Sequence, residues 1–184
     1  MNLKGGHAEG GTLTLLWHER AGLVICGGMS QYTMREANNM QLPRFGRHEC
    51  VTPRLECTAL DGKTVYSSLY DGRCKMIFSE TGAGTVIAVK GRLTDINHHI
   101  LEDGGAYDAE YSFEDGGVRV RINVNQNARF ILPLVSGRTE NAVWDERGMT
   151  IEKRASRVHV NVENGVFHLC LLYTSPSPRD RSLS

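Results

Sequence analysis

Residues 107–113 and 118–124 alternate apolar and polar side chains one by one on either side of Asp115-Gly116. Tyr107, Ala109, Tyr111 and Phe113 form one row against Asp108, Glu110 and Ser112. Val118, Val120, Ile122 and Val124 form another against Arg119, Arg121 and Asn123. Successive side chains on a strand point to opposite faces, so each segment buries one row and hydrates the other. The pattern therefore predicts a hairpin with one covered face. It also sets Asp108 and Glu110 against Arg119 and Arg121 on the wet face, where cross-strand pairs contribute about 0.2–1 kcal/mol each.

The rest of the chain repeats this grammar. Residues 12–18 and 23–26 flank Glu19-Arg20-Ala21-Gly22, and residues 52–59 and 64–69 flank Asp61-Gly62, which reads as a type I′ turn. Further strands are predicted at 73–78, 85–93, 128–134, 149–153, 157–162 and 166–169, with Asn164-Gly165 joining the last two. Turn signals recur roughly every 8–12 residues, the rhythm of a sandwich or barrel. Only residues 33–40 and 94–101 have room for a short turn of helix, and residues 40–50, with Pro43 and Gly46, form the longest unpatterned loop. The expected fold is all-β: a large antiparallel β-sandwich, supersandwich-like and truncated, followed by a disordered C-terminal tail.

That tail has its own signature. Residues 170–180 read Cys-Leu-Leu-Tyr-Thr-Ser-Pro-Ser-Pro-Arg-Asp, which matches, codon for codon, the translation of a transposase-type sequencing adapter. The expectation is a sandwich domain over residues 1–169 and a non-native tail over 170–184 without packing of its own. Met1 is then read as an internal methionine of a longer protein.

Composition narrows the function classes. The chain carries 21 basic and 21 acidic residues, and without the tail the balance stays within one charge of neutral. Such a chain has no electrostatic footprint for nucleic acid or an anionic membrane, and no apolar run reaches the length of a membrane span. Cys26, Cys50, Cys57 and Cys74 form no CxxC pair, so neither a zinc ribbon nor a thioredoxin-like site is indicated. Cys57 reads as a small core residue.

Histidines and aromatic residues are the candidates for chemistry. His7 lies in Gly5-Gly6-His7-Ala8-Glu9-Gly10-Gly11, where glycines allow close backbone approach and Glu9 shares a face with His7 on an extended segment. The alternative is a solvated terminal segment. His48 ends the long loop. His98-His99 is a weak metal signal, and His18 and His159 read as sheet positions. Tyr32 follows the Cys26-Gly27-Gly28 corner, placed either to meet a sugar ring or to fill a core. Trp17 is expected in the core; Trp144 reads as core or sugar platform. HExxH, GxSxG and Walker patterns are absent.

The order His7-x-Glu9-x-Gly11, strand, hairpin, Gly28, Tyr32, His48 and a strand closing on Asp61-Gly62 resembles the β-sandwich region of heparinase II/III-like polysaccharide lyases. That stretch runs roughly HxDxGSF, a strand pair, DPGxxxY, a loop to HN and Asp-Gly. Here Glu9 stands for the aspartate, Thr12-Leu13 for Ser-Phe, and Cys26-Gly27-Gly28 for the DPG corner. The resemblance implies a preceding helical toroid, missing from this chain, and β-elimination on an acidic polysaccharide in the cleft between the two parts. It assigns His7 and Tyr32 as catalytic, Glu9 and His48 as substrate-binding, and His7 and His48 as ligands of a zinc ion. It also implies a secreted or periplasmic protein whose present piece is inactive alone, with neither nucleic acid nor membrane as partner. The competing expectation is a non-catalytic carbohydrate-binding or structural sandwich module.

Overall fold

In a computed structural model, residues 8–28, 51–82, 84–114, 116–124, 127–137, 140–146, 148–153, 156–163 and 166–173 are described. The central hairpin forms as its alternation demands. Strands β7 (Ala106–Glu114) and β8 (Gly117–Val124) pair antiparallel with Tyr111 opposite Val120 and Glu110 opposite Arg121. Around them grows an eight-stranded antiparallel sheet in the order β10 (Ala142–Asp145), β11 (Gly148–Lys153), β12 (Ser156–Glu163), β13 (Val166–Tyr173), β8, β7, β6 (Gly84–Arg92) and β5 (Lys75–Thr81). Two small sheets accompany it: β1 (Leu15–His18) with β2 (Gly22–Cys26), and β4 (Val65–Ser67), β3 (Arg54–Thr58) and β9 (Arg129–Ile131) in that order.

The small sheets cover one face of the large one. Val24 and Ile25 of β2 and Leu55 of β3 share a buried cluster with Val89, Tyr107, Ala109, Tyr111, Val118 and Val120 of the large sheet. Each fully buried side chain of this size contributes about 1.5–3 kcal/mol, so the covered face carries most of the stability. On the opposite face Glu110 meets Arg121 at 3.6 Å, as the alternation predicts. Arg119 turns instead to Glu114 at 3.0 Å, and Asp108 to Lys90 of β6 at 3.5 Å. Asp108 does so because its register partners are Lys90 and Asn123 rather than an arginine.

Several expectations are corrected. Asp61-Gly62 is not a two-residue type I′ turn. The Asp61 carboxylate accepts hydrogen bonds from the Lys63 and Thr64 amides at 2.8 Å and the Thr64 hydroxyl at 2.6 Å, closing a longer loop. The strand expected over 64–69 stops at Ser67 and gives way to a 3-10 turn at Ser68–Tyr70, capped by the Ser67 hydroxyl. Residues 94–101 form bridges, not helix: Thr94 pairs with Ser67 and with Ile100. Trp17 is 63% exposed, because the register shifts between Leu16 and Trp17 and Leu16 is the residue that packs on the core. Strand β10 was not expected at all; every residue of it is exposed, so it lacks the buried row that betrays a strand.

β13 also runs on to Tyr173 rather than ending at Leu169, its four added residues pairing with Ser156, Arg157, Val158 and His159 of β12. Backbone pairing asks only for an extended chain beside an open edge, and Leu-Leu-Tyr supplies that. Residues 33–40, the long loop at 40–50 and the tail from 174 onward lie outside the described residues. No helix among the described residues is long and apolar enough to cross a membrane.

Candidate functional site

One end of the β5–β6 edge opens into a cleft of about 690 Å3. Its floor is built around Asp71, which follows the 3-10 turn and is 5% exposed. The Asp71 carboxylate accepts from the Arg92 amide at 2.8 Å and the Arg73 amide at 3.1 Å, and the Tyr107 hydroxyl lies 3.3 Å away. These contacts tie the end of β6, the turn before β5 and the core into one unit. Gly91 makes the convergence feasible: a Cβ there would fall on the Asp71 carboxylate and the Tyr107 ring and hydroxyl. Tyr107 serves structure here. Burial pushes its phenol far up, helped by the neighbouring Asp71 charge, and its hydroxyl also lies 3.2 Å from the Gly10 carbonyl.

The segment that carries Glu9 is docked, not solvated. Ala8, Glu9 and Gly10 donate backbone hydrogen bonds to the carbonyls of Gly28, Leu69 and Asp71 at 3.3, 3.1 and 3.2 Å. Gly10, at φ +69°, passes so close to Ser68 that no side chain fits. Glu9 thereby lines the cleft, its carboxylate resting over Gly72. Its Oε2 is shielded from solvent and has no hydrogen-bond partner among the described residues.

His98 faces Glu9. Its Nδ1 lies 2.8 Å from the Tyr70 carbonyl and 4.0 Å from Glu9 Oε2. The backbone at His98 has φ +64°, the one positive value at a non-glycine among the described residues. A tight loop imposes it: the His98 amide donates to the Asp95 carbonyl, and Asp95 Oδ1 accepts from the Asn97 and His99 amides at 2.8 Å. Burial alone would raise the Asp95 carboxyl, but those amides and the His99 ring, 3.1 Å away, hold it below the usual range.

The remaining walls are cationic. Arg73, Lys75, Lys90 and Arg92 line the cleft. Lys75 and Lys90 stand directly opposite each other across β5 and β6. Like charges in register destabilise a strand pair, and Asp108 is the single carboxylate within ion-pair reach of either lysine among the described residues. An anion laid along this edge relieves the repulsion. A second cavity of about 560 Å3 adjoins the first on the other side of Glu9, Asp71 and Gly72, but its far wall is Met76, Phe78, Ile87, Tyr111 and Phe113. The cationic lining distinguishes the first cavity from the second.

Of the residues singled out in the sequence, Glu9 sits in this cleft, while His7, Tyr32 and His48 lie outside the described residues. Among the described residues no group of three His, Cys, Asp or Glu side chains could hold a metal ion. Cys26, Cys57 and Cys74 are free thiols; Cys57 packs against the core as expected, and burial pushes its thiol up. His18 accepts from the Arg20 and Ala21 amides at 3.3 Å, which closes the β1–β2 turn. Sequence reasoning missed Asp71 and the cationic row, and it noted His98 only as half of a weak metal signal, whereas the structure places it in the cleft beside Glu9. The signal for the row was present: two facing strands each begin or end on lysine and arginine.

Comparison with known proteins supplies the family. The model of the ulvan lyase C-terminal domain matches residues 1–169. A broad-specificity ulvan lyase of Formosa agariphila is 27% identical over 152 residues, covering 79% of this chain and 23% of that protein. The chain thus spans less than a quarter of the length of that curated relative. No solved structure matches. The likeness read from the sequence is therefore right at the coarser level of a polysaccharide lyase C-terminal domain: the chain belongs to the ulvan lyase C-terminal domain family.

Proposed function

We propose that this chain is the C-terminal β-sandwich part of a polysaccharide lyase, and that it holds an acidic polysaccharide along the β5–β6 edge while the chain is cut by β-elimination. The observation that carries the reading is the cleft walled by Arg73, Lys75, Lys90 and Arg92, with two lysines in direct register. A neutral glycan gives such a row nothing to neutralise; a polymer with repeated carboxylate or sulfate groups does. The name of the Formosa agariphila relative points to ulvan as the first polymer to try.

Several finer expectations belong to the same proposal. Kinship with heparinase II/III-like sandwiches would place a helical domain against this cleft, with activity requiring both parts. Glu9 is then a substrate contact, and His7, Tyr32 and His48, which lie outside the described residues, keep the roles that the resemblance implies. Zinc remains an expectation at His7 and His48, and no step proposed for this cleft uses it. Residues 170–184 are read as foreign to the domain; the family match ends at Leu169.

The test is the polypeptide that the gene encodes, incubated with ulvan, a second uronate polymer and a neutral glucan. Release of unsaturated ends absorbing in the ultraviolet from an acidic polymer is the expected outcome. Binding without cleavage supports the alternative of a non-catalytic carbohydrate module. Equal retention on acidic and neutral polymers contradicts the acidic-polysaccharide reading.

A further inference from the structure

We propose that His98 is the proton-transfer residue that the sandwich contributes to the cleft, with Nε2 as the working nitrogen and Glu9 as its electrostatic support. The proposal rests on the lyase reading and gives that reaction a residue that the sequence marked only as half of a weak metal signal.

The tautomer follows from the hydrogen bond. A backbone carbonyl can only accept, so the His98 Nδ1 that sits 2.8 Å from the Tyr70 carbonyl must carry a proton. In the neutral ring this leaves the lone pair on Nε2. The side chain is 65% exposed and lines the cleft, so that nitrogen is open to a ligand.

Orientation is fixed before any substrate arrives. A left-handed backbone is disfavoured at a residue with a Cβ, and the Asp95 loop imposes it at His98. Strain of this kind persists where surrounding structure over-determines it, and it concentrates at ligand sites. Glu9 completes the arrangement. Its Oε2 lies 4.0 Å from Nδ1, is shielded from solvent and has no hydrogen-bond partner among the described residues. A carboxylate so placed stabilises the imidazolium that forms when Nε2 takes a proton.

The step balances within substrate and His98. Nε2 removes the proton on the carbon next to the uronate carboxylate. The electron pair left behind forms the carbon–carbon double bond, and the bond from the adjacent carbon to the glycosidic oxygen breaks. The imidazolium then gives the same proton to that departing oxygen, and His98 returns to its starting state. Where the proton and the departing oxygen lie on the same face of the sugar ring, one nitrogen reaches both, and for that syn elimination no second acid is required. The cationic wall neutralises the carboxylate and so eases removal of the neighbouring proton.

Two measurements test this. On the present chain, nitrogen–proton correlation spectra of the histidine rings at mildly alkaline pH should show His98 protonated on Nδ1 and bare on Nε2; a proton on Nε2 overturns the proposal. In the polypeptide that the gene encodes, His98→Asn is the variant of choice, because asparagine tolerates positive φ where alanine does not. Its kcat should fall about 100-fold or more, with KM within about threefold of wild type and an unchanged circular dichroism spectrum. Unchanged kcat overturns the role of His98 and leaves the lyase reading standing. A wild-type polypeptide that releases no unsaturated ends overturns both.

Discussion

Strands β7 and β5 flank the same neighbour, β6, yet they lead opposite lives. β7 buries Tyr107, Ala109 and Tyr111 beneath the small sheets. β5 is exposed at every residue, Met76, Ile77 and Phe78 included. The contrast follows from position. β7 has a partner on each side and a layer over its apolar row, whereas β5 is the edge. The middle of the sheet is where sequence is spent on packing. The edge is where lysine and arginine remain available to a ligand, and the same charges guard it against pairing with another chain.

Changes at these two strands should therefore differ in kind. Tyr111→Ala removes a ring from the covered face and should cost about 3–5 kcal/mol, read as a lowered urea midpoint. A cost below about 1 kcal/mol would mean that the small sheets do not seal that face. Gly91→Ala should cost about 1–3 kcal/mol, since the new methyl meets Asp71 and Tyr107 where backbone and core converge. Phe78→Ser, at a position 65% exposed, should stay within about 0.5 kcal/mol of wild type; a loss like that of Tyr111 would erase the distinction between edge and middle.

Lys75→Gln should raise stability by a few tenths, about 0.2–0.5 kcal/mol, while weakening retention on an acidic polysaccharide. Stability and binding moving in opposite directions is a signature that a merely structural lysine would not give. The smallest effect concerns Asp61, far from both strands in role. Its hydrogen bond from the Thr64 hydroxyl, then those from the Lys63 and Thr64 amides, hold the carboxyl below the usual range. A depressed folded value means that its contribution is present above the unfolded value of about 4 and fades as pH falls through the folded one. The stability gap between wild type and Asp61→Asn should therefore close in acid; a gap independent of pH would show that the loop does not depend on the charge.

The same contrast explains how much of the molecule was legible. The β7–β8 hairpin could be read to within one residue at its ends, because burying one row writes a period of two into the chain. β10 has no buried row and left no trace. Trp17 misled because a register shift reverses which residues face inward, and such a shift is set by the partner strand. Asp61-Gly62 has turn chemistry whichever loop length the flanking strands impose. The site was harder still. Glu9 was found from its glycine-rich surroundings, yet its partner His98 lies 89 positions on, and they meet through hydrogen bonds to Leu69 and Tyr70. Backbone strain at His98 and burial of Asp71 are properties of the assembled loops, with no local pattern to announce them.

On the proposed reading the β5–β6 edge, not another surface, receives an acidic polysaccharide. Amide chemical-shift mapping of this chain during titration with short acidic oligosaccharides tests it most directly. The largest shifts should fall on Gly72, Arg73, Lys75, Lys90, Gly91, Arg92 and His98, and added salt should diminish them. Shifts centred on Trp144 and β10 at the opposite edge of the sheet, or shifts indifferent to salt, would contradict it.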